Sequence, residues 1–198
     1  MQERHEQWMA HHGQVYKDAA EKERRFVIFK NNVEFIESFN KAADKPYKLG
    51  INGFTDLTNK EFQPFGNGYK RLSSPKPSST AKPFRYGNVS AVPSSMDWRK
   101  KGAVTPVKDQ GQCAGDTCNA PKEASHAATI SRYEDIPPNC ESALRKAVAP
   151  QPVSVTIDAG EPAFKFFSSR AFTEDCRTNL DHVVTMVWYG MSETGIKY

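Results

Sequence analysis

The clearest pattern in the chain is a row of apolar residues at helical spacing in its first third. They recur at steps of three and four, which places them on one face of a helix: Phe26, Phe29, Val33 and Ile36. Asp18, followed three residues later by Glu21, has the capping-box pattern that begins such a helix, and Lys45-Pro46 ends it. Residues 1–17 also alternate at helical spacing. The pattern therefore predicts a helical N-terminal region.

Beyond this region the patterns are shorter. Residues 48–56 predict a short strand and turn, and residues 141–148 a short amphipathic helix. Residues 64–93, by contrast, are rich in proline and serine, which predicts an extended linker and a domain boundary. Alternating or apolar runs predict strands at 152–158, 164–167 and 183–189. Helices come first and strands later, which indicates an α+β chain.

Composition and charge narrow the functional classes. The 198 residues are 38% hydrophobic and 25% charged, with a net charge of +4, which is ordinary for a soluble globular protein. The basic excess is spread over helix surfaces, so we expect no nucleic-acid partner. No apolar run is long enough to span a bilayer, so we expect no membrane partner. Residues 1–13 lack the apolar core of a signal peptide, so we expect none here. Without a C-x-x-C pair we expect no metal site, and nothing predicts another cofactor.

Two motifs of regularly spaced residues distinguish the N-terminal region from an ordinary amphipathic helix. Six residues of the long helix, at steps of four, four, three, four and four, share one face: Glu21, Arg25, Phe29, Asn32, Ile36 and Asn40. A second motif of alternate residues begins ten residues later: Gly50, Asn52, Phe54 and Asp56. Together the motifs resemble those of the inhibitory prosegment of papain-like cysteine proteases. An accidental amphipathic helix explains the two apolar positions but not ten specified ones.

The resemblance implies an inhibitory mechanism. In this family the helical prosegment docks on the mature enzyme, and the stretch after it runs through the substrate cleft in reverse without being cut. Such prosegments also inhibit related enzymes in trans, so related papain-like cysteine proteases are the expected partners. Asp56 lies in the motif that the family links to acid-triggered release. The alternative for Asp56 is a solvated carboxylate in a turn.

The second half resembles a mature papain-like enzyme with a gap. Residues 93–113 resemble its beginning, most closely the plant senescence-associated type, and the resemblance implies that Gln110 helps to bind the oxyanion. The family then places its nucleophilic cysteine at the start of a helix, but Asp116 stands at that position. Residues 115–128 already resemble family sequence from much further along. We therefore expect an internal deletion that removed the nucleophile and most of the helical left-hand domain.

After this junction the resemblance resumes and assigns the catalytic base to His182. Val183 and Trp188 replace small residues of the family, which predicts poorer packing near the site. The chain stops at Tyr198, before the family segment whose asparagine orients the histidine. The other histidines carry no motif and are predicted at the surface: His5, His11, His12 and His126.

The cysteines follow the same resemblance. Three of them match family half-cystines whose partners lie in missing sequence: Cys113, Cys118 and Cys176. Cys140 is additional, and a pair between Cys113 and Cys118 stays open. The family is vacuolar, lysosomal or extracellular, but the expected lack of a signal peptide leaves localisation open.

These patterns and the resemblance predict an α+β protein of three parts. They are a small helical inhibitory prosegment (residues 1–62), an extended linker through the cleft (63–92) and an incomplete papain-like peptidase domain (93–198). That domain is expected to keep a partial β-barrel and to lack most of its helical half. By resemblance the chain is a cysteine endopeptidase precursor, a zymogen, but without nucleophile and orienting asparagine we expect no peptide cleavage. Two alternatives stay open: an inhibitor of related proteases, or a gene product without function.

Overall fold

Two helices open the structure, a computed structural model that describes residues 1–42, 45–66, 84–107, 134–174 and 178–198. Helix α1 (Gln2–His12) ends at Gly13, whose φ of 64° lies in the left-handed region that favours glycine. Helix α2 (Ala19–Lys41) begins as predicted, since the Asp18 carboxylate accepts a hydrogen bond from the Glu21 amide at 2.7 Å. It ends before the predicted Lys45-Pro46.

The remaining elements are short. In chain order they are β1 (Tyr47–Leu49), α3 (Asn59–Gly66), β2 (Met96–Asp97), α4 (Glu141–Val148), β3 (Val153–Ile157), α5 (Pro162–Lys165), β4 (Phe167–Arg170), β5 (His182–Met186) and β6 (Trp188–Tyr189). The strands pair as three two-stranded sheets: β1 with β4, β2 with β6, and β3 with β5. Within the described ranges these sheets close no barrel, in agreement with the predicted incomplete α+β fold.

One compact unit combines the described parts of residues 1–66 and 157–182. Its core has two clusters of buried residues. The first, between α1 and α2, contains Trp8, Phe29 and Val33, and the second contains Ile36, Tyr47, Leu49 and Phe166. Burial of each such side chain contributes about 1.5–3 kcal/mol. The predicted apolar face of α2 therefore packs both on α1 and on Phe166, which comes from the far end of the chain.

A second compact unit combines the described parts of residues 84–156 and 183–198. Helix α4 has the predicted bounds and buries three residues: Ala143, Ala147 and Val148. The Trp98 indole donates a hydrogen bond to the Val148 carbonyl at 2.8 Å, which ties β2 to the end of α4. Strand β2 pairs antiparallel with β6, with Met96 opposite Tyr189.

Two strand predictions are wrong in their bounds. Residues 164–167 do not form a strand, because α5 occupies Pro162–Lys165 and β4 begins only at Phe167. Proline favours the first turn of a helix, and Pro162 stands there. Residues 183–189 are interrupted at Val187, so they belong to two strands, β5 and β6.

Helix α3 extends into the stretch that the composition assigned to an extended linker. It passes Pro64 and reaches Gly66. Its start has a capping box that the proline-rich composition obscures. Glu61 Oε2 accepts from the Thr58 amide at 2.8 Å, and Thr58 Oγ1 accepts from the Glu61 amide at 3.2 Å. The T-x-x-E spacing in the sequence is the signal that would have predicted this helix.

One further prediction, about exposure, needs correction. His5 is only 2% exposed, because α1 turns it between the aromatic rings of the first core cluster rather than to the surface. Val183 and Trp188, by contrast, are 49% and 43% exposed. The Trp188 ring packs against Tyr198, with ring centroids 4.7 Å apart, and the poorer packing predicted near the site stays a prediction.

Candidate functional site

The helical motif binds the loop that follows β1. Asn32 Nδ2 donates to the carbonyl oxygens of Thr55 and Leu57 at 2.8 and 3.0 Å. Arg25 Nη1 donates to the Asp56 carbonyl between them at 3.0 Å. Three successive carbonyls of the loop are thus held by one face of α2, which explains why arginine and asparagine recur there at helical spacing.

Two carboxylates orient Arg25 for this task. Glu21 accepts from Arg25 Nε at 2.8 Å, and Glu61 of α3 lies 3.1 Å from Arg25 Nη2. Hydrogen bonds from Arg24 and Arg25 lower the pKa of Glu21 to about 2. Glu21 is therefore ionised at mildly acid pH, and the guanidinium stays directed at the loop.

The next two motif residues, Asn40 and Asn52, bind main chain by their amide groups. Asn40 accepts from the Leu49 amide at 3.0 Å and donates to the Leu49 carbonyl at 2.8 Å, so it pairs with β1 as a neighbouring strand would. Asn52 donates to the Lys165 carbonyl at 2.7 Å and accepts from the Phe54 amide at 3.0 Å. Asn52 thus joins the loop to the segment that leads into β4.

Gly50 allows β1 to approach the same segment closely. Its amide donates to the Phe166 carbonyl at 2.8 Å. A Cβ atom on Gly50 would lie 3.0 Å from Ser168 Cβ, a tight contact that would require Ser168 to shift by a few tenths of an ångström. The close spacing of the two segments therefore favours glycine at this motif position.

The apolar motif residues pack in the core or against α3 and so stabilise the elements that make these contacts. Phe29 is buried beside Trp8, with ring centroids 5.2 Å apart, and Ile36 is buried in the second core cluster. Phe54 stacks edge-on with Phe62 at 5.1 Å, which fixes the loop against α3.

Asp56 lies at the centre of a buried polar cluster. It is only 4% exposed, which excludes the solvated turn carboxylate. Its Oδ2 accepts from Tyr16 Oη at 2.9 Å, and burial together with this bond raises the pKa of Tyr16. Tyr16 Oη also lies 3.4 Å from His5 Nε2, and burial lowers the pKa of His5. The cluster therefore holds a neutral tyrosine and favours neutral histidine.

Two side chains that the motifs do not predict join the prosegment to residues 157–174. Lys165 Nζ donates to the Leu57 carbonyl at 2.9 Å, and burial lowers the pKa of Lys165 to about 8. Glu174 accepts from Tyr47 Oη at 2.6 Å. Their partners lie 108 and 127 residues away along the chain, so no local spacing could have identified them.

His182, the base expected from the resemblance, is the half-buried first residue of β5. Two hydrogen bonds hold Asp181, the residue before it: its amide donates to the Ile157 carbonyl at 3.0 Å, and its carboxylate accepts from the Ala159 amide at 2.8 Å. The oxyanion candidate Gln110 and the residue at the nucleophile position, Asp116, lie outside the described residues. So do three of the cysteines: Cys113, Cys118 and Cys176.

Cys140, the remaining cysteine, is a free thiol directly before α4, and hydrogen bonds with Ser142 and the Ala143 amide lower its pKa. Across the described ranges no group of three or more His, Cys, Asp or Glu side chains is placed to hold a metal ion. None of the described helices combines the length and the hydropathy needed to cross a bilayer.

Comparison with protein families identifies both parts of the chain. The cathepsin propeptide inhibitor domain (I29) matches residues 5–62. The papain family cysteine protease matches residues 92–115 and 114–198, in two pieces that meet next to Asp116.

Individual relatives are plant enzymes. The senescence-specific cysteine protease SAG12 of Arabidopsis thaliana is 40% identical over 272 residues, which cover 100% of this chain and 79% of the relative. SAG39 of Oryza sativa subsp. japonica is 37% identical over 273 residues, which cover 100% and 78%. Because this chain has 198 residues, 74 of the 272 positions in the first comparison lie opposite gaps in it.

Solved precursor structures have the same fold. The recombinant stem bromelain precursor matches with a TM-score of 0.83 and 31% identity, covering 100% of this chain and 85% of that one. The proform of the ragweed pollen allergen Amb a 11, a cysteine protease, matches with a TM-score of 0.77 and 30% identity, covering 98% and 73%. The predicted resemblance is thereby confirmed. This chain belongs to the papain family of cysteine proteases, as a plant-type precursor with an N-terminal propeptide inhibitor domain.

Proposed function

We propose that this chain does not cleave peptides and that its prosegment inhibits intact papain-family proteases. The contrast between its two halves carries the proposal. All ten motif residues of the prosegment make defined contacts, whereas the peptidase half has Asp116 where the family has its nucleophile. We take the inhibitory half as the functional one.

Asp116 cannot replace a cysteine thiolate. A carboxylate that attacked an amide would form a mixed anhydride, which is more reactive than the amide it came from, so the reaction would run backwards. The 74 gap positions and the break in the papain-family match at residues 114–115 support a deletion around this site rather than a single substitution. Without a nucleophile, a base at His182 and an oxyanion donor at Gln110 have no acyl transfer to assist.

The inhibitory half keeps a protease-binding surface that depends mainly on main chain. Gly50 donates to the Phe166 carbonyl, Asn52 to the Lys165 carbonyl and Asn59 Nδ2 to the Gly160 carbonyl. Strand β1 adds an antiparallel ladder with β4. Main-chain carbonyls are independent of side-chain identity, so a relative with the same backbone course offers the same partners. This supports binding in trans.

The test is hydrolysis of a fluorogenic peptide by an active papain-like protease at mildly acid pH, titrated with the full chain. The chain alone, in reducing buffer, is the blank. We expect a dose-dependent fall in rate and no hydrolysis in the blank. An unchanged rate would contradict the inhibitor function, and thiol-dependent hydrolysis in the blank would contradict the inactivity.

A matched pair of variants tests whether the folded prosegment is the inhibitor. Val33 is fully buried on α2, whereas Val27 on the same helix is largely exposed. Val33→Asp places an unpaired charge in the core and is expected to abolish inhibition. Val27→Asp makes the same chemical change at the surface and is expected to leave it intact. Equal effects of the two variants would argue against this mechanism.

A further inference from the structure

In this chain the docking surface of the prosegment already contacts residues 157–174 of the same chain. Residues 157–174 contribute three main-chain carbonyls, those of Gly160, Lys165 and Phe166, and the strand β4. These contacts cannot distinguish one papain-family backbone from another. Within this described contact, discrimination therefore comes from side chains that residues 157–174 direct at the prosegment.

Lys165 is the first such side chain. Its residue is 4% exposed, and its ammonium donates to the Leu57 carbonyl at 2.9 Å. The same carbonyl also accepts from Asn32, so it links α2, the motif loop and Lys165. The carboxylates of Asp56 and Glu61 attract the ammonium. A buried cation is tolerated only where such partners compensate its lost hydration. The prosegment therefore provides a site that fits a lysine.

Glu174 is the second side chain that residues 157–174 direct at the prosegment. It accepts from Tyr47 Oη at 2.6 Å and lies 3.6 Å from Lys45 Nζ. Tyr47 is fully buried in the second core cluster, so only its hydroxyl needs a polar partner. The prosegment thus presents a tyrosine hydroxyl and an ammonium, which together fit a carboxylate.

We propose that Lys165 and Glu174 determine which papain-family partner the prosegment binds, namely a protease with a lysine and a carboxylate at the two matching positions. In this chain the same two residues hold the prosegment in place and so limit its release to another protease. The part of this proposal that concerns another protease rests on the proposed inhibitor function. The docking contact itself lies within this chain and can be measured independently.

Hydrogen exchange of the full chain tests the docking contact. The Gly50 amide donates to Phe166 and so reports on the pairing of β1 with β4. Lys165→Met keeps the length of the side chain but removes the charge and the bond to Leu57. We expect exchange at Gly50 to become about tenfold faster, because the docking contact loses a hydrogen bond from a charged group. Lys60→Met, at an exposed position of α3, is the matched control and should change nothing. Unchanged or slower exchange in Lys165→Met would overturn the proposal.

Protection of the Trp98 amide, which bonds to the Val187 carbonyl in the second unit, shows whether a variant has unfolded generally. If Lys165→Met is unfolded, Glu174→Gln provides the same test. It weakens the contact with Tyr47 and Lys45 and preserves shape. Faster exchange at Gly50 with normal protection at Trp98 supports the proposal, and normal exchange at both overturns it.

Inhibition assays test the choice of partner. Because Lys165→Met loosens the contact within the chain but leaves the prosegment unchanged, it should inhibit an active relative about tenfold more strongly than the wild type. An active relative given a lysine and a glutamate at the matching positions should be inhibited more strongly than the same enzyme with methionine and glutamine there. Equal inhibition of the two enzymes would overturn the proposal. If neither the wild type nor Lys165→Met inhibits any of these enzymes, the proposed function fails. The exchange result still decides whether Lys165 holds the prosegment within this chain.

Discussion

Buried polar side chains give the first unit much of its sensitivity to pH. His5 lies among aromatic rings, within 4.9 Å of the Phe29 ring and 5.9 Å of the Trp8 ring between centroids. Its ring nitrogen faces Tyr16, which in turn donates to Asp56. Burial opposes a charge on this imidazole, although Glu6 and Asp56 partly offset the effect and Lys22 adds to it. An exposed histidine at this place, as the sequence predicted, would have no such consequence.

His5 is expected to make the prosegment less stable in acid. Its pKa is lower in the folded chain than in the unfolded one, so the unfolded state binds the proton first. The contribution is fully present above pH 6.5, the ordinary value, and is lost as the pH falls below it. His5→Phe keeps the aromatic packing and removes the proton site. Urea unfolding should therefore show a smaller loss of stability between pH 7 and pH 5 in His5→Phe than in the wild type, and equal losses would contradict this account.

The central short element, β1, is stabilised on two sides. Asn40 of α2 binds both main-chain groups of Leu49 on one side, and β4 pairs with the strand on the other. A three-residue strand has too few hydrogen bonds to persist alone. The position of β1, and with it the docking of the prosegment, depends on a side chain that acts as a strand neighbour.

Asn40→Ala should therefore destabilise the first unit by about 2 kcal/mol, because both groups of the buried Leu49 lose their partner. The measurement is the free energy of unfolding from urea titration. Asn31→Ala is the matched control: Asn31 is exposed on the same helix and gains the same helix propensity from alanine. A difference of less than about 0.5 kcal/mol between the variants would show that the Asn40 bonds are not needed.

For the whole molecule, the position of the proposed deletion is compatible with an intact first unit. The first unit is assembled from residues 1–66 and 157–182, and the proposed deletion around residues 114–115 falls in neither segment. The contacts that hold the prosegment are therefore independent of the missing positions. The proposed loss of peptidase activity, by contrast, follows from the expected deletion of the nucleophile.

Replacing the missing nucleophile alone should not restore activity. Asp116→Cys supplies a thiol at the predicted nucleophile position, but the expected deletion would still leave it without the helical surroundings that lower a thiol pKa and orient it. We expect no hydrolysis of a fluorogenic peptide above the blank in reducing buffer, with an active papain-like protease as the positive control. Turnover that depends on the new thiol would show that only a substitution, and not a deletion, had silenced the chain.

The sequence was sufficient for the parts of the site that local spacing encodes. The spacing of α2 placed Arg25, Asn32 and Asn40 on one face, and each of them binds the segment that follows. The start of α2 at Asp18 and the bounds of α4 were also predicted. These features involve residues at most about thirty positions apart, and helix geometry alone relates most of them.

The family and the prosegment motifs could be predicted from the sequence, because each depends only on which residue stands at which place. Only the folded structure shows that His5 and Asp56 are buried, that the chain passes close to Gly50, and that Lys165 and Glu174 contact the prosegment. The physical reason is separation along the chain. Lys165 and Glu174 meet partners 108 and 127 residues away, and only the packing of the folded unit brings such groups within hydrogen-bonding distance.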